Sequence, residues 1–236
     1  MKKIITLILF LSYLGVYSND FTNKTINKII YNKTIYITQK NKNTLNKLNL
    51  LKYKLFFKTK SISLNNFNLK NFSSLNLTLK TKVLSIVNSQ IENLYGIQNI
   101  DTLKYLDLSK NNIKDLYYLQ NLKKLKYLDL SKNQIGDIYQ IQNLKNLKYL
   151  DLSHNKIRNI FQLASLKNLE YLNLSNNNLA SIPMNITQLK KLKILILSNN
   201  NIKNINFIKN MPNLKLLVIK NNPATKKINS NVLIIK

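Results

Sequence analysis

Apolar residues follow two alternating rhythms along most of this chain. From Leu103 onward the pattern L-x-x-L-x-L-x-x-N-x-[IL] recurs, starting at Leu103, Leu125, Leu147, Leu169, Leu192 and Leu214. The step is 22 residues, except for 23 between Leu169 and Leu192. Within a unit the L-x-L segment alternates as a strand does, with Leu128 and Leu130 directed inward and Tyr127 and Asp129 outward. Between strands the apolar residues fall three apart: Leu116, Leu119, Leu122, then Ile138, Ile141, Leu144, then Ile160, Leu163, Leu166. That spacing predicts 3₁₀-like turns with one buried edge. The phase continues upstream through Leu84, Ile86 and Ile91, with Ser89 at the Asn site, and through Ile62, Leu64 and Leu69, with Phe67 there. About eight units, the first two degenerate, therefore span residues 59–224. One unit cannot bury its own apolar residues, so stacking must drive folding.

This pattern resembles the leucine-rich-repeat family. The 22-residue unit and its S-x-N-x-I-x-D-[IL] reading are similar to the short-repeat class, which includes bacterial internalins and a regulatory subunit of protein phosphatases. The fourth full copy departs from it, since Ser181-Ile182-Pro183 and one extra residue are similar to longer repeat types. The resemblance implies an α/β solenoid: a curved array with a parallel β-sheet on its concave face and 3₁₀ or irregular turns on its convex face. It also implies a ladder between neighbouring turns at Asn111, Asn133, Asn155, Asn177, Asn200 and Asn222. The chemistry suits that role, because Asn offers a donor and an acceptor on a short side chain where the chain turns. By analogy, the concave face recognises another protein, and the chain is not an enzyme.

The ends lack the repeat phase. Residues 1–18 read as a secretory signal peptide: Lys2 and Lys3, a mostly apolar run from Ile4 to Val16, and small residues before a cleavage site. The alternative is an uncleaved N-terminal anchor; no permanent membrane span is expected elsewhere. Residues 19–58 are expected to cap the first unit and 225–236 the last, the latter through Val232-Leu233-Ile234-Ile235. The resulting localisation is extracellular.

Charge adds a second candidate class of partner. The chain of 236 residues carries 37 Lys+Arg against 9 Asp+Glu, a formal charge of +28. Arg158 is the sole arginine, whereas nucleic-acid readers favour arginine for bidentate contacts. Abundant Lys, Asn, Ile and Tyr also match AT-rich codons, so base composition competes with selection for an anionic partner. Either way, weak adhesion to polyanions (glycan, anionic lipid or nucleic acid) is expected. With no cysteine, disulfides, zinc fingers and catalytic thiols are excluded.

No catalytic or metal site, and no cofactor, is expected. His154, the one histidine, falls in an exposed stretch after a strand. The candidate chemistry lies in two outward columns. Asp107, Asp129 and Asp151 form one, continued by Asn173; they read as solvated acids balanced by neighbouring lysines, or as a patch for a cation or a basic partner. Tyr105, Tyr127, Tyr149 and Tyr171 form the other, a packing column or a partner-binding surface. The next two strands substitute Ile194, Ile196, Leu216 and Val218, an apolar patch awaiting cover from the C-terminal segment or from a partner.

Overall fold

The computed structural model describes residues 34–38, 61–65, 72, 81–224 and 232–235. The signal segment and most of both expected caps lie outside the described residues. Ten strands form one sheet in chain order, each parallel to the next. They are β1 (Thr34–Thr38), β2 (Ser61–Asn65), β3 (Val83–Val87), β4 (Tyr105–Asp107), β5 (Tyr127–Asp129), β6 (Tyr149–Asp151), β7 (Tyr171–Asn173), β8 (Ile194–Ile196), β9 (Leu216–Val218) and β10 (Leu233–Ile235). Strands β2 to β9 come one from each of the eight units.

The register follows from the repeat length. Tyr105 pairs with Tyr127, Leu106 with Leu128 and Asp107 with Asp129, and the same correspondence carries on to β7. Equivalent residues therefore stand side by side in straight columns. On the inner face, Leu106, Leu108, Leu128, Leu130, Leu150 and Leu152 have no solvent exposure.

The three-residue rhythm becomes 3₁₀ turns, including Tyr117–Asn121, Tyr139–Asn143 and Phe161–Ser165. Leu119 N–H donates to Leu116 O at 2.9 Å, and Leu122 N–H to Leu119 O at 2.9 Å. The same leucines fill the core with zero exposure. One spacing thus satisfies the backbone and buries the apolar edge together, which a four-residue α-helical step would not do here.

The asparagines close the repeats. Asn133 Oδ1 accepts from Ile113 N–H at 3.0 Å, and its Nδ2 donates to Leu108 O and Leu130 O, each at 3.0 Å. Asn111, Asn155, Asn177, Asn200 and Asn222 make the equivalent bonds. Each links its own turn to the preceding one, so groups left open by the turn are satisfied inside the stack. Just before each of these asparagines the chain passes through left-handed backbone. This occurs at Lys110, Lys132, His154, Asn176, Asn199 and Asn221, with φ between 55° and 58°.

Of the expected C-terminal cover for the apolar patch, residues 232–235 are described. They add β10 edge-on, with Leu233 beside Leu216 and Ile235 beside Val218.

Candidate functional site on the concave sheet

The outward face of the sheet carries both expected columns, and the tyrosines pack as a stack. Ring centroids are 4.1 Å apart for Tyr105–Tyr127, 4.2 Å for Tyr127–Tyr149 and 4.3 Å for Tyr149–Tyr171, with planes within 9° of parallel. The strand spacing of about 4.8 Å imposes this arrangement on identical rings in register. Tyr127, Tyr149 and Tyr171 keep only 5%, 3% and 4% of their exposure, while Tyr105, at the end of the stack, stays half-buried.

Of the two readings of this column, packing and partner binding, the stack supplies the packing. The tyrosines form a second apolar cluster with Ile194 and Leu216, against which Ile196, Val218 and Ile235 pack. The tyrosine column and the apolar patch are thus one continuous strip, and much of it covers itself. Burial pushes the Tyr127 and Tyr149 hydroxyls well above their ordinary value, with Tyr105 and Tyr149 adding to the effect at Tyr127 and Tyr171 adding to it at Tyr149.

In the aspartate column Asp107 and Asp151 are buried and Asp129 is half-buried. Each carboxylate turns one oxygen back on its own chain: Asp107 Oδ1 accepts from Ser109 N–H at 3.0 Å, Asp129 Oδ1 from Ser131 N–H at 2.9 Å, and Asp151 Oδ1 from Ser153 N–H at 2.8 Å. These are Asx turns that start the bend after each strand. Asn173 makes the same bond to Ser175 and donates its amide to Asp151 Oδ2 at 3.0 Å. Burial raises all three carboxyls above the usual carboxylate range. Asp129 rises furthest, and the Asp151 and Asp107 charges on either side add to the effect of burial. Among the described residues, no group of His, Cys, Asp and Glu side chains is placed to hold a metal ion.

Lysines line the strand starts. Lys148 and Lys193 both reach Glu170, at 3.6 and 2.7 Å. Lys104, Lys126 and Lys215 stand exposed at the equivalent positions. His154 is exposed on its left-handed turn.

A family model described as leucine-rich repeats matches twice, at residues 101–144 and 145–188. Among solved structures, an internalin C2 from Listeria monocytogenes is 32% identical, with a TM-score of 0.53, over 64% of this chain and 78% of that one. The chain belongs to the leucine-rich-repeat family. A leucine-rich-repeat protein of Leptospira interrogans is also 32% identical, with a TM-score of 0.60, over 70% of this chain and 45% of that one. An internalin, inlF, of Listeria monocytogenes shares the fold at 24% identity and a TM-score of 0.64, over 77% of this chain and 62% of that one. The chain thus spans less than two thirds of these last two proteins. No curated protein matches it.

The repeat array carries a further column that the strand-centred reading of the sequence overlooked. Tyr95, Tyr117, Tyr139, Phe161 and Met184, on the convex side, are exposed by 52–56%. The signal was present, because Tyr117, Tyr139 and Phe161 are 22 residues apart.

Proposed function

We propose that this chain is an exported, non-catalytic recognition protein that holds another protein against its concave face. The observation that carries this reading is the continuous strip from Tyr105 to Val218. It is preformed, fixed in register by the sheet, and laid on a core with no exposure. Rigid aromatic surface held in its bound geometry lowers the ordering cost of association. The strip's partly accessible points are Tyr105, Ile196 and Val218, with Asp129 and Asn173 beside them. Tyr127, Tyr149, Tyr171, Ile194 and Leu216 act as its floor. Export rests on the charged and apolar N-terminal segment, with an uncleaved anchor as the other outcome. No helix among the described residues is long and apolar enough to cross a membrane.

The test is affinity capture from host extracts, using the full chain and a Tyr105→Ala/Ile196→Asn/Val218→Asn variant whose melting matches wild type. A partner held by wild type and lost by the variant supports the concave site. Equal retention by both places the contact elsewhere.

A second reading is polyanion binding, favoured by the in-register lysines Lys104, Lys126 and Lys215 along the strand starts. Salt separates the two. Polyanion binding weakens steeply as salt rises, through counterion release, whereas contact on an aromatic floor changes little.

A further inference from the structure

We propose that the convex aromatic column docks the repeat array on an anionic lipid surface. Tyr117, Tyr139, Phe161 and Met184 each occupy the first position of a 3₁₀ turn, and Tyr95 precedes the turn at Ile97–Asn99. The backbone accounts for the position but not for the side chain. Tyr117 N–H donates to Asp115 Oδ1 at 2.8 Å, Tyr139 N–H to Asp137 Oδ1 at 2.9 Å, and Phe161 N–H to Asn159 Oδ1 at 2.9 Å. These bonds hold the turn whatever side chain the donor carries. Asn206 takes the same place in the next turn, with its N–H on Asn204 Oδ1 at 2.7 Å, and it is polar. An exposed aromatic there is therefore not a folding requirement, yet the position holds Tyr, Tyr, Tyr, Phe and Met in consecutive repeats.

From Tyr117 onward the column stands between basic flanks, whereas at Tyr95 the equivalent positions hold Glu92 and Asp101. Exposed Lys114 and Arg158 lie three residues before Tyr117 and Phe161; Lys123, Lys145, Lys167 and Lys190 lie six after Tyr117, Tyr139, Phe161 and Met184. Asp115 and Asp137 are the acids nearest the column in sequence, and each has one oxygen committed to a backbone N–H. Tyr95 and Tyr117 pack edge-on against Tyr118; Tyr139, Phe161 and Met184 project between lysines. Such a row suits a bilayer interface: the apolar bodies enter the headgroup region while the ammonium groups meet lipid phosphates. An acidic protein shares the charge complement, but it would need a cleft matched to a whole row of projecting side chains. A soft interface needs none. This docking leaves the concave strip free, so it stands independently of the recognition proposed above.

The test is co-sedimentation of the full chain with phosphatidylglycerol–phosphatidylcholine vesicles and with pure phosphatidylcholine. Wild type is expected to bind the anionic vesicles about tenfold or more tightly than the neutral ones. A Tyr139→Ser/Phe161→Ser/Met184→Ser variant is expected to bind anionic vesicles about tenfold or more weakly than wild type, with an unchanged melting curve. Lys145→Gln/Lys167→Gln/Lys190→Gln is expected to lose the anionic preference. If the triple serine variant melts early, Phe161→Ser alone serves, with a smaller loss expected. Equal binding by wild type and a folded apolar variant overturns the proposal. So does equal wild-type binding to both vesicle types, or the same apolar-variant loss on immobilised polyglutamate, which would identify an acidic macromolecule.

Discussion

Tyr127 and Tyr149 lie ring on ring, 4.2 Å between centroids and 9° between planes, on the face of the sheet opposite the leucine core. Stacking excludes water from both rings, so each behaves energetically as a core residue although it points away from the core. Tyr149→Ala should therefore destabilise the protein by about 2–4 kcal/mol, near the range for removing a buried aromatic. Tyr127 Oη is buried with no hydrogen-bond partner. Tyr127→Phe should thus cost less than about 0.5 kcal/mol, or stabilise, because an unsatisfied hydroxyl is removed. Urea unfolding of the two variants checks both; a neutral Tyr149→Ala would show that the stack contributes nothing.

The aspartate column makes stability depend on pH in the opposite sense to an ordinary ion-paired carboxylate. Burial lifts the folded carboxyls above their unfolded values. The folded state then binds protons more tightly than the unfolded state. The resulting stabilisation is complete below the unfolded value near 4 and is lost as pH rises through the raised folded values. Asp129→Asn should remove the largest part of this dependence while keeping the Asx turn, as Asn173 already shows on β7. Melting curves from pH 4 to pH 8 should show wild type losing stability with rising pH relative to the variant. The variant should melt a few degrees higher at pH 7. Parallel curves would contradict the raised carboxyls.

Asn133→Ala should cost about 1–3 kcal/mol, since Ile113 N–H and the carbonyls of Leu108 and Leu130 would each lose a partner inside the stack. Thermal unfolding identical to wild type would show that water or a shifted backbone replaces the side chain.

The inner architecture was legible because period and burial speak together. Leu116, Leu119 and Leu122 announced a 3₁₀ turn, and Leu128 and Leu130 announced a strand. The outward columns were legible as positions but not as environments. Alternation places Tyr127 outward. It cannot say that Tyr105 and Tyr149 will cover the ring, because cover comes from neighbours 22 residues away in register. Asp107 looked like a surface acid for a different reason: its Ser109 partner lies two residues on, a local bond that composition and charge counting do not weigh. The left-handed turns were hidden as well, because Lys110 and Lys132 are not residues that advertise positive φ.

That last concealment leads to a stabilising substitution. Lys132 sits at φ 56°, where its Cβ crowds the backbone; Asn tolerates this region better and Gly more readily still. The protein places Asn at the equivalent position in Asn176, Asn199 and Asn221. There the amides also form a run, Asn199 Nδ2 donating to Asn176 Oδ1 at 3.0 Å and Asn221 Nδ2 to Asn199 Oδ1 at 2.6 Å. Lys132 is exposed, so replacing it removes no core contact. Lys132→Asn should therefore stabilise by about 0.5–1 kcal/mol through relief of backbone strain. Lys132→Gly should gain less, because the unfolded chain becomes freer. A combined Lys110→Asn/Lys132→Asn variant can gain further if the two amides bond across adjacent turns as Asn176 and Asn199 do. Urea titration of the three variants against wild type measures the order. A loss of stability in Lys132→Asn would mean that the lysine makes a contact worth more than the strain it carries.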